Sequence, residues 1–161
     1  MNGLDRLNAL PAASAEHELL ACCSAPRWAH AVAAARPYPS VDALQAAAAA
    51  ALTDADVADG LVGHPRIGER TADPRSQREQ GMVTRASPDV LAALAAGNRA
   101  YEERFGHVYL VCASGRSAAE LLDVLRKRLA HDLATERDVV RRELVAINRL
   151  RLDALVRWAG E

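Results

Sequence analysis

Apolar positions recur at helical spacing along most of the chain, between alanine-rich and charged stretches. This pattern predicts a series of amphipathic helices. Helix starts are expected at Ser14, Ser40, Thr53 and Ser87, because serine and threonine side chains can accept the first backbone N–H groups of a helix. Gly63 is expected just beyond a helix end.

The segment HVYLVCAS, residues 107–114, is the one stretch with strand character. Because no second strand is available to pair with it, either a buried extended piece or the start of a helix is expected. Two long amphipathic helices follow it. Neither an internal repeat nor a shift in composition divides the chain. We therefore predict an all-α fold, in which residues 1–161 form a single domain with bundle-like packing of about eight helices.

Composition narrows the class of protein. Half of the residues are hydrophobic but only 4% are aromatic, so a core of Ala, Leu and Val is expected. With a net charge of −1, the chain has no basic field to attract nucleic acid. The first residues lack a signal peptide, and no apolar run is long enough to span a membrane. A cytoplasmic protein with neither a nucleic-acid nor a membrane partner is expected.

The three cysteines suggest neither a metal site nor a redox pair. Cys22 and Cys23 are adjacent, which fits neither zinc-binding nor CxxC spacing. Cys112 lies in the apolar run VYLVCAS, where a buried thiol is expected rather than a nucleophile. The histidines also lack metal-ligand spacing, so no metal is predicted.

The heptapeptide GHPRIGE, residues 63–69, contains the first candidate for chemistry. The residue before a proline is kept out of the helical region, so His64 before Pro65 should lie in an extended turn that presents its ring. A histidine is suited to act as a general acid or base near neutral pH. The alternative is a histidine that satisfies carbonyl groups at a helix end.

The second candidate is SQREQ, residues 76–80. If this segment is helical, Ser76, Glu79 and Gln80 share one face. A hydroxyl, a carboxylate and an amide on one face could receive a polar substrate. The alternative is an ordinary solvated helix face.

The third candidate lies on the last helix, whose buried stripe is predicted at Val140, Leu144, Ile147 and Leu155. Arg151 falls on the same stripe, and a buried charge needs a partner. Glu79, Glu143 or an anionic substrate could provide one. The alternative is an arginine that extends its charge to solvent or has a purely structural partner.

Four motifs occur in one order: HP, SQREQ, NRAYEERFGHVYLVCA and E…INRLRL. Together they resemble the OHCU decarboxylase family, over about residues 28–155, as a divergent bacterial branch. The resemblance implies an all-α homodimer without a cofactor. It also implies a carbon–carbon lyase that decarboxylates 2-oxo-4-hydroxy-4-carboxy-5-ureidoimidazoline (OHCU) to (S)-allantoin in uric acid breakdown. OHCU and (S)-allantoin would then be its small-molecule substrate and product.

The resemblance also implies the residues of the site. Its catalytic residues match His64 and Glu79. The substrate-binding residues that it implies are Pro65, Ser76, Gln77, Arg78, Gln80, Val111, Cys112, Ala113, Ser114, Gly115 and Arg151. The chain has HPRIGE where the commoner family pattern is HPDLAG, so Arg66 and Glu69 receive no role from the resemblance.

Two other functions stay open. Another ureide-handling enzyme on the same scaffold would keep the pocket but release no CO₂. A helical binding or regulatory module could contact phosphate groups through the arginines of the last helix, although acidic and apolar residues interrupt them.

Overall fold

The computed structural model describes residues 2–69 and 73–157. These residues form helices and no strand, so the all-α prediction is confirmed. In chain order the helices are α1 (Gly3–Ala9), α2 (Ala12–Cys22), α3 (Pro26–Ala34), α4 (Val41–Ala51), α5 (Asp54–Leu61), α6 (Pro74–Glu79), α7 (Pro88–Phe105), α8 (Ala118–Leu129) and α9 (Leu133–Arg157), with a 3₁₀ turn at Val83–Arg85. None of these helices is long and apolar enough to cross a membrane.

The predicted helix ends are mostly confirmed. The Ser40, Thr53 and Ser87 side chains accept backbone N–H groups at the starts of α4, α5 and α7. The expected start at Ser14 is wrong, because α2 begins at Ala12 after Pro11. Two alanines with high helix propensity and a proline with a fixed φ are enough to begin the helix earlier. The sequence pattern also missed α1.

The described backbone divides into two compact units. Unit 1 comprises residues 2–62 and 145–157, and unit 2 comprises residues 63–69 and 73–144. Helix α9 contributes its first part to unit 2 and its last part to unit 1. The prediction that residues 1–161 form a single domain stays a prediction.

The interior of unit 1 is mostly apolar. Its fully buried side chains include Leu7, Leu19, Leu44 and Leu152. The Trp28 indole N–H donates to the carbonyl oxygen of Ala48 over 2.8 Å, so its one polar atom is satisfied where it is buried.

Unit 1 also contains one very close backbone approach. A Cβ placed on Gly3 would lie 1.7 Å from the Val156 carbonyl oxygen. Only glycine allows α1 to lie this close to the end of α9.

Unit 2 has a mixed aromatic and aliphatic core. Tyr101 of α7 and Tyr109 pack with their ring centroids 5.5 Å apart. Helices α7 and α8 lie close together at Gly97, where a Cβ would come within 2.5 Å of a Leu125 methyl carbon. Between α7 and α8 lies the segment of residues 108–113, which is mostly buried and belongs to neither a helix nor a strand. This agrees with the prediction of an unpaired buried segment.

Candidate active site

The loop of residues 63–69 opens unit 2 directly after α5. Gly63 has a φ of +84°, the left-handed conformation expected of a glycine just beyond a helix end. His64 and Pro65 follow outside any helix and are half-buried. The predicted presentation of His64 in a turn after a helix is therefore observed, and its role remains a prediction.

Hydrogen bonds hold this loop against two helices of unit 2. The Asn98 amide of α7 donates to the carbonyl oxygen of Ile67 over 2.9 Å. The Gly68 N–H donates to the side-chain oxygen of Gln80 over 3.0 Å. Gln80, predicted to contact substrate, thus uses its amide oxygen to hold the loop that carries His64. This bond joins the His64 loop to the end of α6, next to Glu79.

Arg66 has a structural role that the sequence left open. Its guanidinium donates to the carboxylate of Glu102 on α7, with an Nε–Oε1 distance of 2.6 Å. Glu69 lies 3.6 Å from Arg66 and is exposed, so this second ion pair adds little stability. Arg66 therefore fixes the outer side of the loop to α7.

Helix α6 presents its polar residues on two different sides. Ser76 and Gln80 are buried and Glu79 is half-buried, whereas Gln77 and Arg78 are exposed. The predicted shared face of hydroxyl, carboxylate and amide therefore points inward. The solvated-face interpretation applies only to Gln77 and Arg78.

The start of α6 is well capped. The Asp73 carboxylate accepts the Arg75 backbone N–H and the Ser76 hydroxyl, the latter over 2.8 Å. The Ser76 side chain is therefore oriented by the cap of its own helix.

Two charged side chains hold the backbone of residues 108–113. Arg128 of α8 donates to the carbonyl oxygen of Leu110 over 2.7 Å. The Cys112 N–H donates to the carboxylate of Glu143 on α9 over 3.0 Å. Among the described residues, the backbone N–H groups of Val111 and Ala113 have no hydrogen-bond partner. The role in substrate binding that was predicted for this segment stays a prediction.

A buried ion pair lies behind that segment. Arg128 and Glu136 are 2% and 1% exposed, which is unusual for charged residues and requires full pairing. Glu136 accepts the Tyr101 hydroxyl over 2.5 Å and the Arg128 Nε–H over 2.7 Å. Burial alone would raise the pKa of Glu136, but the hydrogen bonds from Arg128 and Tyr101 hold it below its ordinary value. His131 contacts the second carboxylate oxygen at 3.0 Å.

The thiol of Cys112 is half-buried rather than fully buried. Burial raises its pKa, and the nearby carboxylates of Glu143 and Glu79 raise it further. A protonated thiol is a poor nucleophile, which fits the predicted packing role. Glu79 and Glu143 are therefore both close enough to the Cys112 thiol to raise its pKa.

Ser114 and Gly115 form an exposed turn before α8. Gly115 has a φ of +74°, and the Arg116 N–H closes the turn on the carbonyl oxygen of Ala113 over 3.0 Å. The turn ends the segment that carries the free N–H groups.

Arg151 belongs to unit 1, where it is half-buried. Its guanidinium donates to the carbonyl oxygen of Cys22 over 3.2 Å. The stripe predicted on α9 is buried at Val140, Leu144 and Ile147. It continues at Leu152 rather than at the half-buried Leu155.

Sequence reasoning missed the residues that hold the site together. Arg128 falls on the apolar stripe of α8, at helical spacing from Leu121 and Leu125. That spacing was a readable signal for a buried arginine. The partners Glu136 and Tyr101 gave no such signal, because their pairing depends on the tertiary fold. The described residues contain no cluster of three or more His, Cys, Asp or Glu side chains that could hold a metal ion.

The comparisons with known proteins agree on one family. The sequence model of the family described as OHCU decarboxylase matches residues 8–153. The chain is 30% identical to the uric acid degradation bifunctional protein TTL of Arabidopsis thaliana, over 87% of this chain and 47% of that protein. It therefore spans about half the length of that relative.

Two further matches extend over most of both chains. The chain is 30% identical to the 2-oxo-4-hydroxy-4-carboxy-5-ureidoimidazoline decarboxylase of Amia calva, over 81% of each. A crystal structure of OHCU decarboxylase in the presence of (S)-allantoin superimposes with a TM-score of 0.78 and 26% identity, over 86% of this chain and 96% of that one. The chain thus belongs to the OHCU decarboxylase family, and the predicted family, all-α fold and carboxy-lyase function in uric acid degradation are confirmed.

Proposed function

We propose that the residues of unit 2 decarboxylate OHCU to (S)-allantoin, with His64 and Glu79 as the catalytic residues. One observation carries this assignment. The hydrogen bond from Gly68 to Gln80 joins the His64 loop to the end of α6, while the charge of Glu79 acts on Cys112. A general acid–base group, a carboxylate and the unbonded N–H groups of residues 111 and 113 are thus parts of one compact unit.

The reaction requires that the substrate be oriented and that protons be transferred. When the bond to the carboxylate breaks and CO₂ leaves, the electron pair moves towards the adjacent C=N bond of the substrate. The ring nitrogen that receives the electron pair takes up a proton, which gives an enol. The enol then loses its hydroxyl proton as the C=O bond forms, and it gains a proton at the carbon that bears the ureido group. This last step sets the S configuration. The substrate supplies its own electron sink, so the protein has to position it and move protons.

The proposed roles follow from the chemistry of each group. His64 contacts the carboxylate and hydroxyl of the reacting carbon and transfers a proton there. Glu79 accepts hydrogen bonds from ring or ureido N–H groups, and its half-burial favours a strong interaction. The N–H groups of Val111 and Ala113 donate to substrate carbonyl oxygens.

The remaining predicted contacts are of two kinds. Ser76 is buried and Pro65 is half-buried, and both are proposed to contact the substrate beside the catalytic residues. Gln77, Arg78, Ser114 and Gly115 are exposed, so any contact they make with the substrate would be at the edge of the site. The substrate-binding role that the resemblance implies for Arg151 stays a prediction, because Arg151 belongs to unit 1, where its guanidinium donates to the carbonyl oxygen of Cys22.

The test is to follow (S)-allantoin by circular dichroism from freshly prepared OHCU. Wild-type protein should form the S enantiomer faster than the spontaneous reaction does, and His64→Ala and Glu79→Gln should lose that advantage. Wild-type rates in both variants would contradict this site. A wild-type protein that bound (S)-allantoin yet released no CO₂ would favour another ureide-handling enzyme.

We also propose that the enzyme is a cytoplasmic homodimer that needs no cofactor. The resemblance to the OHCU decarboxylase family supports this proposal. Sedimentation equilibrium of the purified chain should give twice the 17.3 kDa mass of one chain, and a monomer mass would contradict it.

A further inference from the structure

Glu143 has no role in the chemistry proposed above, yet its carboxylate bonds to the segment of residues 108–113 and, like Glu79, acts on the pKa of the Cys112 thiol. It is half-buried on α9 and accepts the Cys112 backbone N–H over 3.0 Å. An irregular segment has no helix turn or neighbouring strand to accept its N–H groups, so a side-chain acceptor takes that place. The bond therefore fixes the direction of the Cys112 N–H.

The geometry of the neighbouring peptide groups explains why. The Leu110 carbonyl is bonded to Arg128, and the Cys112 N–H is bonded to Glu143. In an extended chain, the N–H and C=O groups of successive residues point to opposite sides, and those of alternate residues point to the same side. If residues 110 and 112 are directed to α8 and α9, the peptide groups of Val111 and Ala113 face the other side.

We infer that Glu143 is a positioning residue that, with Arg128, directs the N–H groups of Val111 and Ala113 towards the substrate. This inference rests on the proposed function and adds a residue that fixes how the substrate is bound. Its acceptor oxygen, rather than its negative charge, performs this task. A neutral side chain that keeps the oxygen should therefore preserve the function.

Two substitutions separate the two properties of Glu143. Glu143→Gln keeps a side-chain oxygen for the Cys112 N–H and removes the charge. Glu143→Ala removes the oxygen and the charge together. Asp138→Ala on the same helix removes an exposed carboxylate and is the matched control.

Steady-state kinetics should divide these variants into two groups. Glu143→Ala is expected to raise KM for OHCU about tenfold or more, the usual effect of losing an aligned hydrogen bond to a bound ligand. Its kcat should change less, because the N–H groups bind substrate and transition state alike. Glu143→Gln and Asp138→Ala should keep KM within about twofold of wild type.

The backbone amides can be observed directly by ¹⁵N nuclear magnetic resonance of the 17.3 kDa chain. Titration of wild-type protein with (S)-allantoin should shift the Val111 and Ala113 amide signals strongly and the Cys112 signal weakly. In Glu143→Ala the free-state Cys112 amide should move upfield, and the response at Val111 and Ala113 should shrink. If Glu143→Ala does not fold, Glu143→Asp serves instead, because its shorter side chain cannot reach the same N–H.

The outcomes separate this inference from the proposed function. A wild-type protein that neither forms nor binds (S)-allantoin would overturn the proposed function. An active wild type whose Glu143→Ala variant keeps its KM and its Val111 response would overturn the positioning role alone. A loss in Glu143→Gln equal to that in Glu143→Ala would also overturn it, because the charge would then be the active property.

Discussion

Unit 1 and unit 2 differ in how their interiors are built. Unit 1 is stabilised by fully buried apolar side chains such as Leu44 and Leu152, and its buried Asp56 carboxylate pairs with Arg27, whose side chain is 52% exposed. Unit 2 contains the irregular segment of residues 108–113, and Arg128, which holds it, forms an ion pair with Glu136 in which both side chains are buried. The comparison teaches that the candidate chemistry lies in the unit where a buried ion pair supports irregular backbone.

A cavity in unit 1 sharpens this contrast. It has a volume of about 160 Å³ and lies between α4 and α9, with Ala46, Ala48, Ala49 and Leu152 among its lining residues. None of the predicted site residues lines it. The proposed site therefore rests on the acid–base groups and unbonded N–H groups of unit 2, and this cavity has no part in it.

The largest effect is expected from the catalytic residues of unit 2. His64→Ala and Glu79→Gln should each lower the rate of (S)-allantoin formation by roughly 10²- to 10⁴-fold, the usual contribution of general acid–base catalysis. Their free energy of unfolding should stay close to wild type, because both side chains are only half-buried. Circular dichroism measures the product, and urea titration provides the stability control.

The next largest effect concerns the buried ion pair of unit 2. Glu136→Gln leaves Arg128 without its counter-charge at a site 2% exposed. The free energy of unfolding should fall by about 3–5 kcal/mol at neutral pH. Urea unfolding followed by far-ultraviolet circular dichroism measures it. A loss below about 1 kcal/mol, typical of an exposed pair, would contradict the buried role of Glu136.

The same ion pair predicts how acid affects stability. Because the pKa of Glu136 is held below its ordinary value of 4.5, its stabilisation is present above that value and is lost as pH falls through the folded-state pKa. Wild-type stability should therefore drop more steeply than that of Glu136→Gln below about pH 5. The prediction would be contradicted if the free energy of unfolding of wild type and of Glu136→Gln fell equally steeply as the pH is lowered.

A smaller effect is expected in the apolar core of unit 1. Trp28→Phe keeps most of the buried ring but removes the N–H that donates to Ala48. The free energy of unfolding should fall by about 1–3 kcal/mol, from the lost hydrogen bond and the smaller ring. The kcat of the folded variant should match wild type. A large loss of kcat without a loss of stability would contradict the proposal that the chemistry depends on unit 2 and not on unit 1.

The smallest effect is expected at a helix cap of unit 1. Ser40→Ala removes the oxygen that accepts the Ala43 N–H at the start of α4. The variant should lose about 1 kcal/mol of stability, as is usual for a helix N-cap. Thermal unfolding measures the change, and Ser40→Asp, which keeps an acceptor oxygen, should stay close to wild type.

The sequence was informative wherever the signal was local. The caps at Thr53 and Ser87 and the glycine at 63 each depend on residues within one turn of the chain. The candidate loop at His64 was recognised from a single dipeptide, because a proline restricts the residue before it.

Pairings between distant residues could not be predicted in this way. Arg128 contacts Leu110, which lies 18 positions earlier, and Gln80 bonds to a loop 12 positions before it. An isolated glutamine or arginine in a helix gives the same pattern whether it meets a backbone group, a substrate or solvent. Only the fold decides among these partners, which is why Gln80 was assigned to the substrate alone and Arg128 was overlooked.

A crystal structure of this chain with (S)-allantoin bound would test the central claim most directly. The account predicts that the ligand lies in unit 2, within hydrogen-bond distance of the Val111 or Ala113 N–H groups and in contact with His64 and Glu79. A ligand bound in the cavity between α4 and α9 of unit 1, with the unit 2 groups unoccupied, would contradict it.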